Sequence, residues 1–334
     1  MKAVTAYNPA CSSTANIVAC ELDDTFGGYS FRRFRKLAGS LNQKMNVRII
    51  PRLDIKNSNL VKGVHLEGLR VLGKPERFAR RYYEQGADEL VFMDVVASLY
   101  GRNSLLDIVE RTAREVFVPL TVGGGIRTTD DIKRILRAGA DKVSLNTAAI
   151  KQPQFVRDAA RKFGSSTIVV SIEAIQKRGG GYEAYVDNGR EKTGVDAFEW
   201  AARAVELGAG ELLVTSIDRE GTGRGYDTTL VRQIADSVPV PVIACGGAGS
   251  VNHVLEVFSE GHADAAAIAS VLHYHLVKQG PDPGEEFDPA INTAHIAEGR
   301  GFAKIVDASL VEIKETLGRR GYRSRQVPEV VANA

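Results

Sequence analysis

Eight short apolar runs, each followed by an amphipathic stretch, constrain this chain more than any other feature of its 334 residues. The runs fall at 47–55, 89–95, 120–122, 142–146, 167–172, 211–216, 242–245 and 265–269, with helix-period stretches such as 129–138 and 198–207 between them. A strand-then-helix rhythm builds a parallel sheet, because a parallel neighbour needs a crossover and a helix supplies it. Eight such units close into a ring. The expected fold class is therefore α/β, a (βα)8 barrel of the TIM type, and a content of 44% hydrophobic residues is enough for one large core.

The two halves of the chain echo one another. Asp88-Glu89-Leu90-Val91 returns as Gly210-Glu211-Leu212-Leu213, and Val118-Pro119-Leu120 followed by Gly123-Gly124-Gly125 returns as Val240-Pro241-Val242 followed by Gly246-Gly247. Asp141 after Gly139-Ala140 returns as Asp264 after His262-Ala263, and the offsets of these pairs are 122, 122 and 123 residues. A half-barrel of four βα units thus occurs twice.

Three parts fall outside the repeat. Residues 1–44 read as an N-terminal extension without periodicity, expected to be disordered or to precede the true start at Met45. The barrel is expected to occupy 45–325, with a Gly-, Pro- and acid-rich insertion at about 278–303 overhanging the active rim, and 326–334 as a tail. The stretch 180–193 reads as a β-hairpin, with 182–186 as one arm and Asn188-Gly189 as its turn. A last helix is expected at 307–319.

Charge and cysteine content exclude several roles. A net charge of +2 from nearly balanced acids and bases gives no field to hold nucleic acid or a membrane surface. No apolar run approaches the roughly eighteen residues of a membrane span, and no leader pattern opens the chain. Three cysteines without a C-x-x-C pair fit a reducing compartment, so the expected location is cytoplasmic. No metal cluster or cofactor motif is visible.

In barrels of this type the chemistry lies at the C-terminal ends of the strands. Those ends carry Asp54 and Lys56, Asp94, Asn146 and Thr147, Glu173, and Thr215, Ser216 and Asp218. Asp54 and Glu173 occupy matching places in the two halves and should face each other across the mouth as general acid and base. Taken alone, each could equally be a solvated or Arg-paired acid; symmetric placement favours the catalytic reading for Asp54. Gly123-Gly124-Gly125 and Gly246-Gly247-Ala248-Gly249 each end a strand ahead of a helix, where backbone N–H groups can cradle an anion. One such turn is common for steric reasons. Two in symmetric positions, each with Asn146-Thr147 or Ala269-Ser270 at the next strand end, point to a ligand with a phosphate at each end.

These segments resemble the cyclase subunit of imidazole glycerol phosphate synthase, from histidine biosynthesis. The likeness rests on Leu53-Asp54-Ile55-Lys56, the segment from Asp88 to Asp94, Thr121-Val122-Gly123-Gly124-Gly125-Ile126, the segment from Gly139 to Ala149, the segment from Leu213 to Arg219, and Gly246-Gly247-Ala248-Gly249. The resemblance implies a lyase without a cofactor that takes ammonia from a separate glutaminase subunit, in a heterodimer docked on the N-terminal face. The ammonia would act on a bis-phosphorylated ribulosyl intermediate, giving imidazole glycerol phosphate and an aminoimidazole carboxamide ribotide. It assigns Asp54 and Glu173 to catalysis, Gly125, Asn146 and Thr147 to one phosphate, and Gly247 and Ser270 to the other. Thr215 would also face the ligand, and Lys62 in a mobile first loop would help close the site. Arg48, Glu89, Lys142 and Glu211 match the family's ammonia gate, and Asp141 would face the glutaminase.

Three residues depart from the pattern. Glu173 stands where the family has an aspartate, Glu220 replaces another aspartate, and Arg52 replaces a small inward side chain. A buried guanidinium needs a partner, which Glu173 or Asp54 could supply. The expectation is that Arg52 and Glu173 changed together, and this keeps open an alternative: a paralogous ammonia-dependent enzyme that amidates a sugar in surface-polysaccharide synthesis. A scaffold that only activates a glutaminase fits less well with Asp54 and both phosphate turns in place. Trp200 reads as helix packing, and His273 near the rim could equally be solvated.

Overall fold

The computed structural model describes residues 45–65, 67–96, 105–280 and 304–326. The expected extension at 1–44, nearly all of the insertion expected at about 278–303 and the tail after 326 lie outside the described residues.

Eight parallel strands form the ring: β1 (Arg48–Lys56), β4 (Leu90–Asp94), β5 (Leu120–Gly123), β6 (Lys142–Leu145), β7 (Ile168–Gln176), β10 (Glu211–Ser216), β11 (Val242–Cys245) and β12 (Ala265–Ile268). The order runs β1-β4-β5-β6-β7-β10-β11-β12, and β12 pairs with β1 to close it. The barrel expectation is borne out. Strands such as β4 are buried along their whole length, as parallel strands covered on both faces must be. On β1 the ladder to β12 uses residues 48–51 and the ladder to β4 uses 52–55. Pro51, which has no N–H to give, falls at that changeover.

Around the ring lie α1 (Pro75–Glu84), α2 (Leu106–Ala113), α3 (Thr129–Arg137), α4 (Thr147–Lys151), α5 (Gln154–Phe163), α6 (Ala197–Glu206), α7 (Thr228–Ser237), α8 (Val251–Ser259), α9 (Ser270–Gln279) and α10 (Leu310–Arg319). Caps explain where several begin. Thr128 and Asp131 form a reciprocal capping box on α3, and Asp196 accepts from Phe198 N and Glu199 N at the start of α6. The final helix starts three residues later than its periodicity predicts because Ser309, accepting from Glu312 N, is the residue that caps it. Among the described residues no helix is long and apolar enough to cross a membrane.

Two antiparallel hairpins rise from the rim in matching places. β2 (Asn59–Val64) and β3 (Glu67–Gly73) continue from β1, while β8 (Tyr182–Val186) and β9 (Glu191–Asp196) continue from β7. The second hairpin has the expected arm and turn, with Asp187, Asn188 and Gly189 all at positive φ. It also lengthens β7 beyond its expected end at 172, so Glu173 sits within a strand, paired with Tyr185.

The half-barrel repeat is visible in backbone detail. Asp88, Asp141 and Asp264 each accept a backbone N–H near the start of the preceding barrel strand, from Ile49, Leu120 and Val242, all at 2.8 Å. Asn146 before α4 (φ −127°, ψ −86°) and Ala269 before α9 (φ −117°, ψ −80°) share one uncommon conformation.

Candidate active site

Side chains on a strand alternate, so Arg48, Ile50, Arg52 and Asp54 of β1 form one column facing the barrel interior. The floor of that interior is a ring of charge. Arg48 bonds Glu89 at 2.6 Å and also Glu211, while Lys142 lies 3.0 Å from each of the same two acids. Cation and anion alternate, so each partly desolvated charge has two opposite neighbours. Burial alone would lower the Arg48 pKa, but Glu211 and Glu89 outweigh it and raise it. Above the ring sits an apolar layer that includes Ile50, Val91, Val169, Leu213 and Ile243.

Asp54 closes the column, and Glu173 of β7 stands across the interior from it. Both are about 4% exposed, and their strands lie four steps apart whichever way the ring is followed, hence on opposite walls. Their surroundings differ. Asp54 Oδ1 accepts from Arg52 Nε at 2.8 Å. Glu173 receives the N–H of Gly189, but its Oε2 has no hydrogen-bond partner. Burial pushes the Glu173 carboxyl up to about 7, with Asp54 and Asp187 adding to the rise and the Arg52 guanidinium opposing it. A carboxyl poised there can give or take a proton near neutral pH.

A cavity of about 310 Å³ opens beside Glu173, lined by Gly124, Gly125, Asn146, Thr147, Lys151 and Asp187 among others. Gly124 has φ +100°, and a Cβ there would stand 2.3 Å from Asp94 O, so only glycine lets the turn close. At the symmetric turn Gly247 has φ +110° and a Cβ would meet Gly225 O at 2.1 Å. Ser270, buried, opens α9 there just as Thr147 opens α4. Among the described residues no group of three or more His, Cys, Asp and Glu is placed to hold a metal ion.

The tip of the second hairpin presses on the strand end beside the first glycine turn. Thr147 Oγ1 donates to Asp187 Oδ1 at 3.3 Å and accepts from Asp187 N at 3.1 Å, Lys151 Nζ lies 3.4 Å from Asp187 Oδ2, and Asn146 Nδ2 donates to Tyr185 O at 3.2 Å. A carboxylate thus holds donors that a phosphate would use. Asp187→Asn is expected to tighten binding of inorganic phosphate about fivefold, worth about 1 kcal/mol for one partly exposed charge. Calorimetric titration at low ionic strength reads it, and the gain should shrink in salt.

Residues 48–278 match the family described as histidine biosynthesis protein. The chain belongs to that family. It is 58% identical over 206 residues to imidazole glycerol phosphate synthase subunit HisF of Legionella pneumophila, covering 62% of this chain and 97% of the relative. It is 50% identical over 230 residues to the subunit of the same name from Alkaliphilus metalliredigens, covering 69% and 91%. The likeness read from the motifs is borne out.

Within this family frame the structure brings together most of the residues singled out in the sequence. Gly125, Asn146, Thr147 and Glu173 share one cavity, and Arg48, Glu89, Lys142 and Glu211 share the floor. Asp141 is exposed on its carboxylate side, with one oxygen used to fix β5. Lys62 differs from expectation. It lies in β2, buried and paired with Glu220, because the first hairpin leans over the loop after β10, where His65 N also donates to Glu220 O at 3.0 Å. Arg52 takes Asp54 as its ion-pair partner rather than Glu173. His273 is fully buried, not solvated. Burial, helped by the charge of Lys62, pushes its pKa down to about 3, so the ring is neutral. Arg52 O can only accept, which puts the proton on Nε2 (3.0 Å) and makes Nδ1 the acceptor of the Tyr82 hydroxyl at 2.6 Å. Asp187, Lys151 and Cys245 were not singled out; the Asn188-Gly189 turn beside Glu173's strand was the one signal that led toward Asp187.

Proposed function

We propose that this chain is the cyclase subunit of an imidazole glycerol phosphate synthase, a lyase of histidine biosynthesis. It uses ammonia to convert a bis-phosphorylated ribulosyl intermediate into imidazole glycerol phosphate and aminoimidazole carboxamide ribotide. The observation that carries the reading is Glu173: a buried carboxyl with a free oxygen, on the wall of a cavity whose other wall is a glycine turn suited to phosphate. Addition of ammonia and ring closure both require protons to leave nitrogen and reach oxygen, the work of such a group. Gly125, Asn146 and Thr147 hold one phosphate, and Gly247 and Ser270 the other at the start of α9. Thr215 lies beneath the ligand beside the Arg52–Asp54 pair, and Lys62 secures the first hairpin above it.

The four-charge ring of Arg48, Glu89, Lys142 and Glu211 is the ammonia gate, and a glutaminase docks beneath it on the face that carries Asp141. The complex works in the cytoplasm, which a sequence of three cysteines without a C-x-x-C pair supports. The synthase is preferred to sugar amidation because both relatives bear the synthase name. The test is direct: purified protein, the ribulosyl intermediate and ammonium salt at mildly alkaline pH, with both products followed by chromatography. Both products should appear in equal amounts. Absence of product at saturating ammonium, or amidation of a nucleotide sugar instead, would overturn the proposal.

A further inference from the structure

Arg52 occupies the interior one layer below Asp54, and it is 3% exposed. A buried guanidinium must find its partners within the protein. Nε donates to Asp54 at 2.8 Å, and one terminal nitrogen reaches Cys245 Sγ at 3.1 Å and Thr215 Oγ1 at 3.4 Å. Those partners lie on β1, β11 and β10, so the planar group is braced from three strands. Its own backbone carbonyl is held by His273, itself held by Tyr82. Nearby, Lys62 is paired with Glu220. Two cations and two anions are therefore matched, and Glu173 on the opposite wall stands outside both pairs. The charges that act most on Glu173 are Arg52 and Asp54 from β1 and Asp187 from the turn between β8 and β9. Glu173 lines the cavity; the residues lining it do not include Asp54.

We propose that Arg52 is a positioning residue: it draws the Asp54 carboxylate onto itself and away from the cavity, leaving Glu173 as the carboxyl that exchanges protons with the substrate. Two acids that the half-barrel repeat would make equivalent thereby receive different tasks. The inference rests on the cyclase reading and deepens it. Arg52 touches no reacting atom, and acts through Asp54.

Arg52→Met keeps an unbranched stem out to the position of Nε and removes the brace. It should lower kcat about a hundredfold with KM changed less than threefold, the scale of an ångström's misplacement. Arg52→Lys, which keeps the charge without the directed Nε–H, should recover about tenfold of that loss. Carboxyl ¹³C NMR supplies a readout apart from turnover. The Glu173 midpoint should rise in Arg52→Met, which removes an opposing cation, and fall in Asp54→Asn, which removes a like charge. Wild-type kcat in Arg52→Met, or a Glu173 midpoint unmoved in both variants, overturns the proposal. If Arg52→Met does not fold, Arg52→Lys decides: a kcat about tenfold below wild type supports the brace, and an unchanged kcat refutes it. Should the wild-type protein fail to turn over the ribulosyl intermediate, the cyclase reading falls, while the two NMR midpoints still judge the role of Arg52.

Discussion

Glu173→Gln is expected to lower kcat by about 10²- to 10⁴-fold, the usual contribution of a positioned proton-transfer group. The same substitution should stabilise the fold at alkaline pH. The carboxyl has an ordinary value of 4.5 in the unfolded chain and about 7 in the folded one. Below the lower value it is protonated in both states and its burial carries no charge penalty. As pH rises toward the upper value the unfolded chain releases a proton that the folded chain retains, so stability falls. Above the upper value the loss is complete, about 3 kcal/mol as an upper bound. Gln carries no charge at any pH, so urea unfolding should show wild type and Glu173→Gln closer together at pH 5 than at pH 8.5, with the variant gaining as pH rises. An equal offset at both values would mean that Glu173 does not titrate between them. The protein on this account sacrifices stability at a site where it needs a proton held in place.

The charge ring should respond in the opposite way. Glu211→Ala leaves Arg48 and Lys142 facing Glu89 alone, and removing one member of a buried ionic set leaves an uncompensated charge. The expected destabilisation is about 3 kcal/mol, at the low end for such sets, since Arg48 remains 25% and Lys142 18% exposed to water. Thermal and urea unfolding measure it, and a cycle with Lys142→Met should show strong coupling, the double variant being less unstable than the two losses summed. Additive losses would mean that the two residues act independently.

The barrel was legible in the sequence because parallel strands buried on both faces read as short apolar runs, and the runs at 211–216 and 242–245 match β10 and β11 to the residue. The hairpin after β7 was legible because Asn188-Gly189 accepts positive φ without strain. Its counterpart after β1 was not. The chain enters that hairpin from β1 through Asn57-Ser58, a turn without a glycine, and its arm Asn59–Val64 does not alternate cleanly between polar and apolar side chains. Helix ends were set by caps rather than by periodicity, which is why α10 begins at Leu310.

In the site, alternation along β1 placed Arg52 in the interior but could not say how far its side chain reaches, so the choice between Asp54 and Glu173 stayed open until their positions were known. Lys62 and Glu220 are separated by 158 residues, and nothing local to either announces the other. The glycine turns were visible as composition; that the first carries a cavity and that Asp187 sits in it follow only from where the hairpin tip meets Thr147 and Lys151.

The inward column of β1 also ties the order of the fold to its chemistry. Floor charge, apolar filler, brace and acid stand at 48, 50, 52 and 54 on a single strand. A slip of one residue in its pairing would turn all four to the outside at once, and would put Ile49, Leu53 and Ile55 where the ions belong. No half-functional register exists between the two. An insertion or deletion anywhere between Arg48 and Asp54 would therefore abolish folding and turnover together, whereas a similar change in either rim hairpin need cost only turnover.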